Sequence, residues 1–235
     1  MKSYNVLIDK YSRYATYYDR RWNRSFGDGI LQAVLESVPW SGLGQVLDVG
    51  CGTGLLEEAV RNRVREPVRI VGVDISLAML QKAQQKLGHS SRFRWTTAQA
   101  ESLPFPSATF DAVVCANSFH YYRQPVRVLE EFRRVLEPDG CLVVADWCND
   151  FLVNKLGHYA LRLAHSTYIH RYAMNRCYGM QQFENMLAAA GFRIDWGQKA
   201  EMDWGWGIMI YRARLKRSGR EAYSTTSSVS PALTA

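Results

Sequence analysis

The run Val46-Leu47-Asp48-Val49-Gly50-Cys51-Gly52-Thr53-Gly54 constrains the fold more than any other part of the chain. β-favouring apolar residues lead into a glycine-rich turn, and Leu55-Leu56-Glu57-Glu58-Ala59-Val60 then reads as a helix. A strand, a tight glycine turn and a helix N-terminus form the first crevice of a doubly wound α/β sheet, where cofactors bind. The spacing narrows the choice of ligand. A dinucleotide fingerprint places a third glycine or alanine where Leu55 stands, and a phosphate loop ends in a Gly-Lys-Ser/Thr that is absent here. The loop therefore admits close backbone approach without offering a phosphate site. It points to a cofactor that carries no pyrophosphate.

About one βα unit downstream, Arg69-Ile70-Val71-Gly72-Val73-Asp74 reads as a strand ending in an acid, and Ser76 to Lys86 as the next helix. An acid about 20 residues beyond the glycine loop sits at the tip of the neighbouring strand, where it can accept hydrogen bonds from ribose hydroxyls. The bland reading of Asp74 is a cap for the helix that follows. Further along, strands are expected at 45–49, 68–73, 92–96, 110–115 and 141–146, with helices at 54–63, 77–87 and 125–136 between them. This alternation predicts a parallel sheet covered on both faces. Residues 193–198 and 207–214 read as two final strands. Residues 1–40 read as a helical N-terminal cap, and 151–190 as a mostly helical insertion that interrupts the rhythm and is expected to be the substrate-selecting lid, the alternative being a cap packed permanently on the sheet. A single domain is expected over 1–215, followed by a Ser/Thr-rich tail at 216–235 with too little apolar content to order.

Five segments in register carry a family resemblance. They are Leu47 to Gly54, Gly72-Val73-Asp74-Ile75-Ser76, Ala100-Glu101-Ser102-Leu103-Pro104-Phe105, Phe110-Asp111-Ala112-Val113, and Leu136-Glu137-Pro138-Asp139-Gly140-Cys141-Leu142. In this order they resemble the class I S-adenosylmethionine-dependent methyltransferases, and within them the quinone-biosynthesis and small-molecule branch. The resemblance implies a Rossmann-like, seven-stranded, mostly parallel sheet with helices on both faces and a terminal antiparallel hairpin. It implies S-adenosyl-L-methionine as cofactor. Gly50, Cys51, Gly52 and Gly54 would form the cofactor loop, Asp48 would hold that loop and the methionine ammonium, and Asp74 the ribose. Ile75 would pack on the adenine face, with Ala100 offering its N–H to the ring. The family carries an aspartate where this chain has Gln99, whose amide carbonyl can still accept a hydrogen bond from adenine. Tyr18 resembles the Tyr-Asp pair that many relatives place on an N-terminal helix over the cofactor.

Asn117-Ser118-Phe119-His120-Tyr121-Tyr122 follows the fourth strand, at the carboxyl end where ligands gather. Asn117 joins the cofactor-binding candidates. His120 is the candidate catalytic residue, as a base for a hydroxyl, carbon or amine nucleophile; the alternative is a residue that only shapes the wall. Tyr121, Trp147, His165, Tyr168 and Tyr172 are the candidate substrate-pocket residues, in a segment where His158, His170, Tyr159 and Phe183 are also suited to an aromatic ligand. The three histidines there are seven and five residues apart, which misses the helical spacing of a zinc pair, so no metal site is expected.

The net charge of +7 concentrates at the two ends, as in Arg20-Arg21 and Lys216-Arg217. A solvated face with a basic tail explains it most simply; nucleic acid is disfavoured, and contact with an anionic membrane surface is a third reading. No uninterrupted stretch of about 18 apolar residues occurs, the N-terminus lacks the plan of a secretory signal, and the five cysteines form no C-x-x-C pair. A reduced, cytoplasmic setting is expected. The function expected is methyl transfer to a small aromatic or prenylated molecule. Its rivals are an RNA or protein methyltransferase and a non-catalytic cofactor-binding subunit.

Overall fold

The computed structural model describes residues 4–88, 90–166, 176–202 and 205–216, and of these the backbone alone over 21–28, at 158 and over 161–166. Two helices, α1 (Asn5–Tyr14) and α2 (Arg21–Ser37), precede the sheet. Strand and helix then alternate through β1 (Gln45–Val49), α3 (Leu55–Arg63), β2 (Arg69–Asp74), α4 (Leu77–Leu87), β3 (Phe93–Thr97), β4 (Phe110–Ala116), α5 (Pro125–Val135) and β5 (Leu136–Trp147). A 3-10 turn, Phe119–Tyr121, follows β4. The chain ends through α6 (Leu152–Ser166), α7 (Met180–Ala189), β6 (Phe192–Glu201) and β7 (Gly207–Leu215).

The sheet has seven strands in the order β3-β2-β1-β4-β5-β7-β6. Strands β1 to β5 run parallel, whereas β7 is antiparallel to both β5 and β6. Central strands read as near-continuous apolar runs because both of their faces are covered. Val46, Leu47, Val113, Val114, Val143 and Val144 are all fully buried. Alternate residues feed two cores, one beneath α5 and α7 and one beneath α2 and α3. Each such side chain contributes roughly 1.5–3 kcal/mol by leaving water. Helix α5 shows how one face is chosen: Pro125 starts it, and Val128, Leu129, Phe132 and Val135 recur at helical spacing and are buried.

The direction of winding reverses at β1, which pairs with β2 on one side and β4 on the other. A reversal of this kind leaves a crevice outside the carboxyl ends of the two strands. At the opposite end of the sheet, Gly44 and Gln45 donate their N–H groups to the Asp111 carboxylate at 2.9 and 2.8 Å, fixing the entry of β1.

Three expectations change. Strand β5 opens at Leu136, pairing with Phe110 before a register shift, five residues earlier than its apolar run suggested. Helix α7 packs onto the sheet, with Phe183 and Leu187 fully buried. Phe183 is therefore core: its ring meets Phe119 at 5.1 Å and Tyr211 at 5.3 Å between centroids.

Candidate active site

The glycine loop is anchored from β2. Gly50 and Cys51 donate their N–H groups to the Val73 carbonyl at 2.7 and 3.0 Å, and Gly52 donates to Asp74 Oδ2 at 3.0 Å. Gly50 has φ +81°, and a side chain there would collide with Ser118. Only glycine fits that position. Ser118 and Tyr122 both donate to the Val49 carbonyl, at 3.0 and 3.2 Å, and so tie the end of β4 to the end of β1.

A cavity of about 620 Å³, counting its open mouth, lies over these strand ends. Val49, Gly50, Gly52, Asp74, Ile75 and Ala100 are on its floor and inner wall. Tyr4, Leu7, Tyr11 and Tyr18 form the outer wall, contributed by α1, its N-cap residue and the turn after it. A second hollow, beneath the loop, is lined by Asp48, Cys51, Leu55 and Ala116 and shares Tyr18, Gly50, Gly52 and Asn117 with the first. The two thus meet around the glycine loop.

Polar groups are distributed unevenly along this path. Asp74 is held by Gly52 on one oxygen and by the Ser76 N–H, 2.8 Å away, on the other. The capping interaction and the cavity-facing position therefore coexist in one carboxylate, which retains acceptor capacity beyond two bonds. Burial raises its pKa, against those N–H groups, which lower it. Asp48 is 2% exposed and its Oδ1 has no hydrogen-bond partner. Asn117, in the left-handed region at φ 52°, also has a partnerless Oδ1. Asn117 thus combines backbone strain with an unmet acceptor on the cavity wall.

The turn after α1 is fastened to the loop. Thr53 donates from Oγ1 to Asp19 Oδ1 at 2.5 Å, and Lys86 of α4 reaches Asp19 Oδ2 at 2.7 Å. Tyr18, next in the chain, is thereby placed against the glycines. Farther out, Tyr4 donates to Glu101 and accepts the Arg123 N–H at 3.2 Å.

A match to the methyltransferase domain family spans residues 47–144. An uncharacterised methyltransferase of Mycobacterium bovis is 31% identical over 140 residues, covering 60% of this chain and 68% of that protein. The chain belongs to the class I methyltransferases. A demethylmenaquinone methyltransferase of Deinococcus radiodurans is 38% identical over 131 residues, covering 55% of this chain and 50% of that one. The chain spans about half the length of the curated quinone-pathway relatives it matches. Among solved structures, an S-adenosylmethionine-dependent methyltransferase from Thermotoga maritima superposes with a TM-score of 0.67 at 19% identity, over 91% of this chain and all of that one.

The residues present fit S-adenosylmethionine, the methyl donor of this family. The partnerless oxygens of Asp48 and Asn117 suit an ammonium group, nothing lies within 4 Å of a side chain added at Gly52, and Ile75, Met79 and Ala98 make an apolar slot beyond Asp74. Gly54, at φ +74°, turns the loop into α3 and lies behind it against Trp95.

Other candidates lie apart. Gln99 is exposed and outside the cavity lining, bridged to Ser102, while Glu101 is the acidic group in that wall. Trp147 packs against Trp206 at 5.6 Å, away from the cavity. His165 lies in α6, but its side chain is outside the described residues, as are Tyr168, His170 and Tyr172 altogether. Tyr121 lines the cavity. His120 stands behind that lining, 3% exposed, its ring 4.0 Å from that of Tyr121. Its Nδ1 lies 2.6 Å from Asp146 Oδ1 and its N–H donates to Oδ2 at 2.9 Å. Among the described residues no cluster suited to a metal occurs.

Sequence reasoning missed Tyr4, Leu7, Tyr11 and Met79 as lining residues. The tyrosines were conspicuous by number, but their facing the crevice depends on how α1 folds back onto α4.

Proposed function

We propose that this chain binds S-adenosylmethionine across the glycine loop and transfers its methyl group to a small, aromatic or prenylated acceptor that enters beside Tyr121. The supporting observation is the tyrosine-walled mouth of the cavity: Tyr11 packs against both Tyr18 and Tyr121, with centroid distances of 6.0 Å and 5.5 Å. Such a wall offers ring faces and excludes water, which suits a flat apolar acceptor better than a charged polymer. Similarity to quinone methyltransferases supports the same acceptor class.

When bound, S-adenosylmethionine supplies an electrophilic sulfonium methyl. The chain's own part is alignment and shielding. Asp74 holds the ribose, Asp48 and Asn117 the ammonium end, and Ile75 and Met79 clasp the adenine. Tyr18 closes the site, fixed through Asp19 to Thr53 and Lys86. His120 is a positioning residue: Asp146 pins it, and it supports Tyr121 from behind.

Incubation with tritium-labelled cofactor and a cell extract, fractionated into small molecules, RNA and protein, tests the acceptor class. Label in the organic-soluble fraction is expected. Label in RNA or protein alone would assign a macromolecular acceptor, and no transfer with intact cofactor binding would make the chain a non-catalytic subunit.

A further inference from the structure

Beneath the glycine loop lies a second carboxylate that the reading above does not use. Glu57, in the first turn of α3, is 0% exposed, and neither of its oxygens has a hydrogen-bond partner. It is aimed at β2, where the absence of a side chain at Gly72 makes room for it beside Trp95. With the partnerless Oδ1 of Asp48, three carboxylate oxygens are sealed from water without a donor. Asp48 is the register partner of Gly72 across β1 and β2, so the two acids are neighbours; adjacent buried charges in that state are strongly disfavoured, and the usual escape is to keep a proton.

The surrounding groups offer no neutralising cation. Asp74 faces Asp48 from β2, Cys51 from the loop, Cys115 from β4 and Tyr18 from the N-terminal turn. Helix α2 presents Ile30 and Leu31 to the same hollow. Lys86 of α4 acts on Glu57 through space, but its ammonium is bound by Asp19 and Glu58 at 2.7 and 3.4 Å. Burial, then the charge of Asp74, pushes Asp48 up to about 8, and burial, then Asp48, pushes Glu57 upward as well.

We infer that the buried Asp48 and Glu57 both hold protons in the ligand-free protein, and that the ammonium group of the cofactor displaces the one on Asp48, so that binding releases a proton. This rests on the cofactor reading above. Asp48 is the member that lines the hollow, so the incoming cation meets its free oxygen, Asp48 ionises, and its proton leaves to solvent while Glu57 keeps its own. The bound state holds fewer protons than the free state. Affinity therefore rises with pH below the free-state value and levels off above it.

Titration calorimetry with S-adenosylhomocysteine, which keeps the same ammonium group, tests this directly. At pH 6.5, heats measured in buffers of differing ionisation enthalpy should report release of about one proton, and affinity should rise by up to tenfold per pH unit between pH 5.5 and 7.5. Asp48→Asn should release no proton at pH 6.5, whereas Glu57→Gln, a neutral stand-in for the protonated acid, should release about one, as the parent does, because burial and the charge of Asp74 keep the proton on Asp48. Heats independent of buffer, with flat affinity, would overturn the inference and leave cofactor binding intact. Release of a proton by Asp48→Asn equal to that of the parent would overturn the assignment to Asp48. Absence of binding at every pH would remove the cofactor reading, and this inference with it.

Discussion

Asp48 and Asp146 close two strands of the same sheet and are about equally buried, at 2% and 1% exposed. Their surroundings differ completely. Asp146 accepts three hydrogen bonds: His120 N–H and Nδ1–H, at 2.9 and 2.6 Å, and its own neighbour Trp147 N–H at 2.7 Å. Both oxygens of Asp146 are thus satisfied, and they hold the imidazole in one orientation. Asp48 keeps an oxygen with no donor. Burial alone therefore says little about role. The satisfied acid holds the far wall of the crevice in place; the unsatisfied one keeps an acceptor without a partner, which is what the proposed ammonium site rests on.

The sharpest break of this contrast comes from removing the satisfied member. Asp146→Ala strands three buried donors and should destabilise the fold by about 3–5 kcal/mol, with only a minor change in cofactor affinity for the fraction that remains folded. Thermal unfolding would show a midpoint lowered by roughly 6–20 °C; an unchanged midpoint would mean that those bonds contribute nothing. On the ligand side, Asp74→Ala should weaken S-adenosylhomocysteine by about 1.5–3 kcal/mol while leaving the fold in place. Unaltered calorimetric affinity in a folded variant would take Asp74 out of the site.

His120→Gln sharpens the contrast further. A positioning residue should cost less than tenfold in turnover, with an unmoved pH–rate profile and unchanged cofactor affinity. A fall of roughly 10²-fold together with loss of the acidic limb would instead make His120 the general base. The smallest effect concerns the 151–190 segment. Hydrogen exchange should already be slow in α7, whose Phe183 and Leu187 are core, and faster in α6, where Leu152, Leu156 and Tyr159 are 69, 59 and 63% exposed. Equal rates in the two helices would mean that they open as one unit.

Much of the sheet is legible in sequence because buried parallel strands announce themselves as apolar runs beside turn residues. The exception is instructive. Glu137-Pro138-Asp139-Gly140 has the composition of a turn, and it hides the fact that Leu136 already pairs with Phe110. The cofactor side of the site is legible too, since Asp48, the glycines and Asp74 lie on consecutive βα units whose spacing is local. The remainder depends on contacts between residues far apart in sequence. Tyr4 meets Glu101 across 97 positions, and His120 meets Asp146 across 26. Glu57 reads as an ordinary first-turn acid favoured by the helix dipole, until packing turns it inward. Aromatic composition likewise cannot separate a pocket wall from a core: Tyr121 became the first and Phe183 the second.

The place of β7 has a consequence for how such a chain is made. Residues 208–214 pair with 141–147, so the outer edge of β5 waits for a segment that leaves the ribosome some 60 residues later. Throughout that interval of vectorial synthesis, an apolar strand edge with free N–H and C=O groups is open to any other nascent chain. A polypeptide cut after Trp206 keeps every part of the glycine loop yet never closes that edge, and its expected fate on expression is the insoluble fraction.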